Sequence, residues 1–465
     1  MQAKTKARLA MGAFLAACLV PSAGMLVIPE RSAAANQQLV QPPVITKTDG
    51  SFNLNLFQEV TDYIADHFAL RQELITADAA LNAALFHVSA EEDVVLGRDG
   101  WLFYAETVDD YLRTNPLTGR QLWASAHTLA LVQEYVQDRG ARLLFTAAPN
   151  KATLYPQYLP YVGTPLEAEG NLDRLIPLME EEGVPWADLR GALQYPHFAT
   201  YFPRDSHWNT IGAAMAQQAL LSALDKEHQP FLEGRDPLTD SDAFTPCGHR
   251  GDLYEMVYPT GTEQDGDLQF DRPFTFNHVR QPRGPDDQRI ETENPAKTGS
   301  LLMFRDSFGN SLYPFMAEEY GSALFSRSMP CQLSLLDQTG ADTVIFELVE
   351  RNLDYLATRP PIFPAPERLL TGTPPQGTGT ARLALSQQYP LEGYTRLTGT
   401  LTGVDENSPV YVRLGEALYE ATPAGEDWDG GCPFTLYVPQ DACLEDACVL
   451  YIQQGELRTL LPANM

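Results

Sequence analysis

The chain has 465 residues, of which 44% are hydrophobic and 20% are charged. This length and composition predict two globular domains and exclude a mainly disordered chain. The 61 acidic residues outnumber the 32 basic ones, and the formal net charge of -29 argues against nucleic acid or an anionic lipid surface as the main partner. It also disfavours a strongly anionic polymer, unless a local basic groove overrides the total.

The N-terminus carries positive charges followed by an apolar stretch. Three basic side chains lie within residues 1–8, and residues 9–29 are nearly uncharged. The pattern predicts a signal-anchor or signal peptide over residues 1–29 and a polar spacer over residues 30–56. Three outcomes stay open: a membrane anchor, cleavage near residues 33–35, or lipidation of Cys18. Each predicts an extracytoplasmic protein, either held at the cell membrane by this segment or secreted.

Five cysteines follow this segment: Cys247, Cys331, Cys432, Cys443 and Cys448. The short spacings among the last three suggest one local disulfide in an exported protein, and the odd count leaves at least one thiol over. A zinc site is the competing interpretation, but residues 376–465 contain no histidine and no CxxC pair. The sequence therefore predicts no metal and no cofactor.

Helical and strand patterns alternate from residue 57 to residue 358. Apolar residues at helical spacing predict one or two helices over residues 57–86, and residues 94–104 predict two short strands around an Asp-Gly turn. Further predicted helices are 122–137, 171–182, 210–224 and 310–319, and predicted strands are 142–148, 184–189, 301–304, 322–326 and 342–348. A polar, Pro/Gly-rich stretch, 227–299, interrupts this pattern. The alternation predicts an α/β domain with a doubly wound, mostly parallel sheet, whose ligands lie beyond the carboxyl ends of the strands.

The composition changes again near residue 359. Residues 359–375 are rich in proline, glycine and threonine, which predicts a linker. Short β-like runs separated by turns predict a small C-terminal β-sandwich over residues 376–465, a candidate carbohydrate-binding domain. Its aromatic residues could form a sugar platform, although aromatics in strands usually pack in a core. These residues are Tyr394, Tyr411, Tyr419, Trp428 and Tyr437.

An acidic residue and a histidine stand directly before the helix predicted at 210–224. Residues two apart in an extended segment point the same way, so Asp205 and His207 can face one cleft. A carboxylate beside an imidazole fixes its tautomer and stabilises the imidazolium of a general base. The structural alternative for this pair alone is a helix cap and a buried histidine.

A serine follows the hydrophobic strand predicted at 301–304. The chain passes from Asp306 through Ser307 and Gly309 into a helix, which would expose the Ser307 hydroxyl at the sheet edge. Backbone N–H groups and a helix N-terminus at such a turn can stabilise an oxyanion. Taken alone, Ser307 could equally be a helix cap.

Together these segments resemble a known family. Residues 306–308 (Asp-Ser-Phe) resemble the Gly-Asp-Ser nucleophile block of the SGNH-hydrolase superfamily, and residues 205–208 (Asp-Ser-His-Trp) resemble the Asp-x-His-Trp block of its alginate O-acetyltransferase-like branch and of DHHW proteins. As in that branch, the acid–histidine block precedes the serine, a permuted order. Residues 100–104, 149–156 and 347–351 are also similar, and the resemblance covers residues 57–356.

The resemblance implies a permuted SGNH-like fold and assigns roles to individual residues. Ser307 would be the nucleophile of an acyl-enzyme, His207 the base and Asp205 the orienting carboxylate, with the Ser307 N–H and Asn310 as oxyanion donors. Two departures are Arg305, in place of the usual glycine, and Ser206, in place of the second residue of Asp-His-His-Trp. Further candidates for the oxyanion or substrate site are Arg305, Trp208, Lys151, Glu347 and Arg351; surface ion pairs or loop anchoring would equally explain Lys151, Glu347, Glu350 and Arg351.

The resemblance implies transfer or hydrolysis of acyl, in particular acetyl, groups on a cell-envelope or exported polysaccharide. Both reactions use the same triad, so the sequence leaves transferase and esterase open. The resemblance also implies a membrane-bound acyltransferase as the acyl donor. The alternative function is a non-catalytic glycan-binding or assembly protein of the cell envelope.

Overall fold

A computed structural model describes residues 40–47, 50–195, 198–228, 230–232, 244–369, 372–405, 407–425, 430–444, 447–453 and 455–460, with isolated positions before residue 40. The predicted signal or anchor over residues 1–29 therefore lies almost entirely outside the described residues, as do Cys18 and Trp428. Among the residues that are described, no helix is both long and apolar enough to cross a membrane.

Helices and strands alternate along the described chain. From residue 40 onward the helices are α1 (Leu56–His67), α2 (Arg71–Phe86), α3 (Ala105–Leu112), α4 (Gly119–Gln137), α5 (Lys151–Leu154), α6 (Asn171–Glu181), α7 (Thr210–Ala223), α8 (Asp252–Val257), α9 (Gly309–Glu318), α10 (Ser334–Thr339) and α11 (Tyr355–Thr358). The first eleven strands are β1 (Val94–Leu96), β2 (Leu102–Tyr104), β3 (Arg142–Ala148), β4 (Trp186–Asp188), β5 (Phe244–His249), β6 (Asp265–Phe270), β7 (Asn277–His278), β8 (Arg289–Glu293), β9 (Ser300–Phe304), β10 (Ser322–Ser326) and β11 (Thr343–Val349).

A mixed seven-stranded sheet forms the centre of the main domain, in the order β4-β3-β11-β9-β10-β8-β7. The five strands from β4 to β10 are parallel, and β8 and β7 add an antiparallel edge. Side chains of β3 alternate between two cores: Leu143 and Phe145 face the core shared with α4 and α6, and Leu144 faces the core shared with α7 and α9. The predicted α/β class with a mostly parallel sheet is confirmed.

The C-terminal domain is a curled antiparallel sheet. Its strands are β12 (Glu367–Arg368), β13 (Thr380–Ser386), β14 (Tyr394–Thr402), β15 (Val410–Leu414), β16 (Ala417–Pro423), β17 (Cys432–Pro439), β18 (Cys448–Gln453) and β19 (Glu456–Leu460). The first half of β16 pairs with β15 and its end pairs with β17, so the sheet folds over one apolar core. This arrangement is consistent with the predicted β-sandwich. Tyr419 and Tyr437 are buried rather than displayed as a platform.

The first part of the segment predicted as a linker, residues 360–368, packs against both domains. Ile362 and Phe363 are buried, and β12 pairs with β16. Arg368 donates to Glu134 of α4 and to Glu420 of β16. The two domains therefore share an ionic junction, and the domain bounds stay a prediction.

The described cysteines form no disulfide with one another. The local bridge that the sequence suggested is therefore absent from the described part of the chain. Cys331 lies in the main-domain core, and Cys448 lies in a small cluster of the C-terminal domain with Leu418 and Leu450.

Candidate active site

The turn after β9 carries the predicted serine. Buried β9 ends at Phe304, and α9 begins at Gly309. The Asp306 carboxylate accepts hydrogen bonds from the Phe308 N–H at 2.8 Å and from the Val349 N–H at 2.6 Å. Asp306 thus ties the turn to the end of β11 and leaves Ser307 partly exposed at the carboxyl edge of the parallel strands.

The segment before α7 carries the predicted histidine in a tight loop that Tyr201 and Trp208 close through a β-bridge. Trp208 is fully buried, and its Nε1–H donates to the Phe308 carbonyl at 3.1 Å. Asn209 caps α7 by accepting from the Gly212 N–H. Trp208 therefore fastens the histidine loop to the serine turn.

The structure brings the three predicted residues together across 100 residues of sequence. His207 Nε2 lies 2.8 Å from Ser307 Oγ, and His207 Nδ1 lies 2.7 Å from Asp205 Oδ1. The backbone N–H of His207 donates to the same carboxylate oxygen at 2.9 Å. A nucleophile, a base and an orienting carboxylate in hydrogen-bond contact are the arrangement that covalent acyl transfer needs.

The charges of the site favour a histidine that accepts a proton. Burial opposes the ionised form of Asp205, but hydrogen bonds from His207 and His249 outweigh it and hold the pKa of Asp205 well below its usual range. Burial also opposes protonation of His207, yet its contact with Asp205 raises the pKa of His207 above the ordinary value. The contact with Asp205 therefore stabilises the imidazolium form of His207.

The sequence interpretation missed a second group around Asp205. His249, at the end of β5, lies with Nε2 2.7 Å from Asp205 Oδ2, and the Asp252 N–H donates to that oxygen at 2.9 Å. The Ser206 hydroxyl donates to Asp252 Oδ2 at 2.5 Å. His249 and Asp252 belong to the polar stretch 227–299, where hydrophobic periodicity gave no signal.

Lys151 lies behind the site rather than in it. Its side chain is fully buried, and its ammonium donates to the carbonyl oxygens of Phe202, Pro203 and Asp205. Burial lowers the pKa of Lys151 to about 8, although nearby Asp205 favours the charged form. Lys151 therefore supports the backbone of the histidine loop.

Arg305 and Asn310 contact each other beside the serine turn. Arg305 is 3% exposed, and it donates to Asn310 Oδ1 and to the carbonyls of Pro285 and Asp287. Burial lowers the pKa of Arg305 to about 10. The Nη1 group thus fixes the orientation of the Asn310 amide, and the Nη2 group anchors the guanidinium to the 285–287 loop.

Glu347 and Arg351 lie at the end of β11. Glu347 is fully buried, and burial together with the neighbouring Asp306 raises its pKa well above the usual range. Its Oε2 accepts from the Asp306 N–H. The Arg351 guanidinium carbon lies 5.2 Å from the Tyr104 ring centroid and 5.9 Å from that of Phe308, and Nη1 has no hydrogen-bond partner among the described residues. Arg351 therefore keeps a free donor near the serine turn.

Asp205, His207 and Asp252 offer ligand atoms within 4.8 Å of one another. Asp205 and His207 of this set are also joined by a hydrogen bond of 2.7 Å.

Comparison with known proteins places part of the chain beside one acetyltransferase family. Residues 94–289 match the model of a family described as "SGNH hydrolase-like domain, acetyltransferase AlgX". The chain is 29% identical over 181 residues to a Pseudomonas aeruginosa protein named "Probable alginate O-acetylase AlgJ" and 26% identical over 183 residues to a Pseudomonas putida protein of the same name. These alignments span 38% of this chain and 44% and 45% of the relatives, so the chain matches less than half the length of each. The resemblance predicted from the sequence is confirmed.

Solved structures give more distant similarities. The O-acetyltransferase domain of Pseudomonas putida AlgJ is 19% identical with a TM-score of 0.38, covering 56% of this chain and 92% of that one. Bacillus cereus PatB1 with a sulfonyl adduct is 14% identical with a TM-score of 0.40, covering 56% and 97%. A DHHW family protein from Eubacterium siraeum is 15% identical with a TM-score of 0.39, covering 56% and 94%.

Proposed function

We propose that the chain transfers or removes acyl groups, in particular acetyl groups, on a cell-envelope or exported polysaccharide, with Ser307 as nucleophile. The observation that carries the proposal is the continuous hydrogen-bonded series from Ser307 through His207 to Asp205, with distances of 2.8 and 2.7 Å. The match of residues 94–289 to an acetyltransferase family supports the reaction class.

The reaction has two balanced halves. Ser307 Oγ attacks the carbonyl carbon of the acyl donor while His207 Nε2 takes the hydroxyl proton, and the tetrahedral intermediate collapses when His207 returns that proton to the leaving oxygen. In the second half, His207 takes a proton from a sugar hydroxyl or from water, and this oxygen attacks the acyl-enzyme. Ser307 is released when His207 reprotonates it. Transferase and esterase differ only in the acceptor.

The oxyanion would be stabilised at the start of α9. The Ser307 N–H and the N-terminus of this ten-residue helix supply positive potential there. Asn310, oriented by Arg305, is the side-chain candidate. Arg351 carries a free donor beside the same turn and is the substrate-contacting candidate.

The setting of the reaction is also a proposal. An N-terminal signal or anchor would place the catalytic domain outside the cytoplasm, where envelope and exported polysaccharides are found. A membrane-bound acyltransferase would supply the acyl group. The relatives named alginate O-acetylases are consistent with a polysaccharide acceptor.

A groove of about 640 Å³ between the domains favours glycan binding as a second role. It is lined by Arg359, Arg382, Arg396 and the exposed ring of Tyr389, and the described residues that line it include no carboxylate. Three arginines without a carboxylate among the described lining residues would make this groove locally basic despite the net charge of -29, which would suit an anionic glycan. If the chain bound glycan without catalysis, this groove would serve that function.

Ser307→Ala tests the catalytic proposal. We expect it to abolish the one-acetyl mass increase after incubation with an activated acetyl ester and to lower ester hydrolysis by about 10³-fold or more, with the melting temperature nearly unchanged. Ser322→Ala, at an exposed serine on β10, is the matched control. Folded wild-type protein no more active than Ser307→Ala on p-nitrophenyl acetate and short glycan acceptors would refute catalysis.

Arg382→Ala tests the groove. We expect weaker retention on an acidic-polysaccharide affinity gel and unchanged hydrolysis of p-nitrophenyl acetate, because the small ester needs only the triad. Arg289→Ala, at an exposed arginine on β8, is the control. Equal retention of both variants would remove the groove from the proposal.

A further inference from the structure

The triad carboxylate is held by four donors, of which the catalytic histidine supplies only two. Asp205 Oδ1 accepts from the Nδ1 and the backbone N–H of His207, and Oδ2 accepts from His249 Nε2 and the Asp252 N–H. Asp205 is 4% exposed, so water does not supply these bonds. A buried carboxylate needs its acceptor sites filled, and here half of them are filled from outside the triad.

The outside donors belong to one unit inserted between α7 and β9. In it β5 and β6 form an antiparallel hairpin that encloses α8, with His249 opposite Asp265. This unit forms hydrogen bonds with three consecutive residues of the histidine loop, Arg204 to Ser206. Asp265 accepts from the Arg204 N–H at 2.7 Å, His249 donates to Asp205, and Asp252 accepts from the Ser206 N–H at 2.7 Å.

We propose that His249 is a positioning residue of the active site, which through its bond to Asp205 Oδ2 fixes the carboxylate in the orientation that aligns His207 with Ser307. The inference rests on the proposed function of the triad. His249 reaches Ser307 only through Asp205 and His207, so it acts on the orientation and charge of the base. The hairpin that carries His249 therefore supports the histidine loop from outside the triad.

The surroundings of His249 distinguish positioning from simple packing. Its ring stacks on Phe202, with centroids 4.0 Å apart and planes at 20°, and its side chain stays 36% exposed. A residue placed only for packing would bury its ring; this one directs one nitrogen to the carboxylate and leaves an edge in water. Phenylalanine can keep the stacking and remove the donor, and glutamine can keep a donor and remove the titration.

The charged groups that face His249 fix the sign of a pH effect. The acidic groups are Asp205 from the histidine loop, Asp252 from α8 and Asp267 from β6. Two cations lie nearby: Lys151 donates to the Asp205 carbonyl, and Arg204 forms an ion pair with Asp265. When His249 is protonated, two imidazoliums compete for one carboxylate, so protonation of His207 is less favourable. His249→Gln removes this competition, which raises the pKa of His207 and moves the acid limb of kcat/KM to higher pH.

The experiment compares wild type, His249→Phe and His249→Gln in full-length protein with p-nitrophenyl acetate from pH 5 to 9. We expect His249→Phe to lower kcat by about 10- to 100-fold with little change in KM, because a misdirected base loses alignment. We expect His249→Gln to keep kcat within about threefold and to shift the acid limb upward by about half a unit or more. His127→Gln is the matched control, since His127 also contacts two carboxylates but lies at the domain junction.

The kinetics of the two His249 variants decide whether His249 is a positioning residue. His249→Phe within about twofold of wild type, together with an unmoved acid limb in His249→Gln, overturns the inference. If His249→Phe does not fold, the acid limb of His249→Gln decides alone. If wild type shows no Ser307-dependent activity, the proposed function fails, and NMR titration of His207 replaces kinetics: a shift in His249→Gln but not in His127→Gln supports positioning, and equal titrations refute it.

Discussion

Raising the pH should loosen the junction between the two domains through a single histidine. His127 of α4 is 8% exposed, with Nδ1 3.2 Å from Glu182 and Nε2 3.2 Å from Glu420 of the C-terminal domain. Burial opposes its charge, but the hydrogen bonds that His127 donates to the two carboxylates outweigh burial and raise the pKa of His127 to about 9. Only the imidazolium donates from both nitrogens, so the double contact requires the charged form.

The sign follows from the raised pKa of the folded state. An unfolded histidine titrates near pH 6.5, so the stabilisation is fully present below about pH 6.5 and is lost as the pH rises through about 9. A difference of about 2.5 pKa units corresponds to about 3 kcal/mol of unfolding free energy at about 1.4 kcal/mol per unit. The loss falls on the contact between the main domain and Glu420.

The assay is urea unfolding of wild type and His127→Gln at pH 6 and pH 9.5, followed by two spectroscopic probes to check for a single transition. Other groups titrate in this range: the pKa of Lys151 is lowered by burial to about 8, and that of Glu350 is raised by burial to about 7. Lys151 and Glu350 are present in both proteins, so their titration cancels in the difference between the two free energies of unfolding. Wild type should lose about 3 kcal/mol of its advantage over His127→Gln between the two pH values; a constant difference would refute the reasoning.

Two substitutions near the histidine loop give further tests. Lys151→Met leaves three carbonyl oxygens of that loop without their donor. We expect this variant to lower the free energy of unfolding, measured in urea, by about 2–4 kcal/mol and to reduce ester hydrolysis. A stable, fully active variant would contradict the supporting role of Lys151. A Cβ at Gly251 would lie 2.2 Å from the Arg204 carbonyl oxygen, whereas one at Gly266 meets nothing within 4 Å. Gly251→Ala should therefore lower kcat far more than Gly266→Ala, and equal kinetics would show that the close approach is not needed.

The central strands were predictable because they are buried on both faces. The predicted strands 142–148 and 322–326 coincide with β3 and β10; the predicted strand 301–304 begins one residue after β9, and 342–348 lies one residue before β11 at each end. A parallel strand covered by helices on both faces is a continuous apolar segment, and such a segment can be recognised in the sequence without any periodic pattern. The serine turn follows the strand β9, and the histidine loop precedes the helix α7. The positions of both loops could therefore be predicted as well.

The strands β5 to β8 were not predictable on the same grounds. They lie in the polar stretch 227–299, where β8 alternates buried Ile290 and Thr292 with more exposed, mostly charged neighbours over only five residues. An alternation over only five residues is too short to distinguish a strand from a polar loop in the sequence. Hydrogen-bond partners far apart in sequence, such as His249 and Asp205, leave no periodic signal at all.

The position of Asp205 nevertheless constrained what the polar stretch had to supply. A buried, ionised carboxylate offers four acceptor sites, and the adjacent histidine fills only two of them. The remaining donors had to come from a segment near in space, and β9 and the turn after it carry the serine. The long polar stretch was the unassigned part of the main domain, and its histidine at position 249 combined a strong donor with a ring that packs on Phe202. The inserted hairpin is therefore best understood as the part of the fold that makes a buried acid–histidine pair stable enough to use.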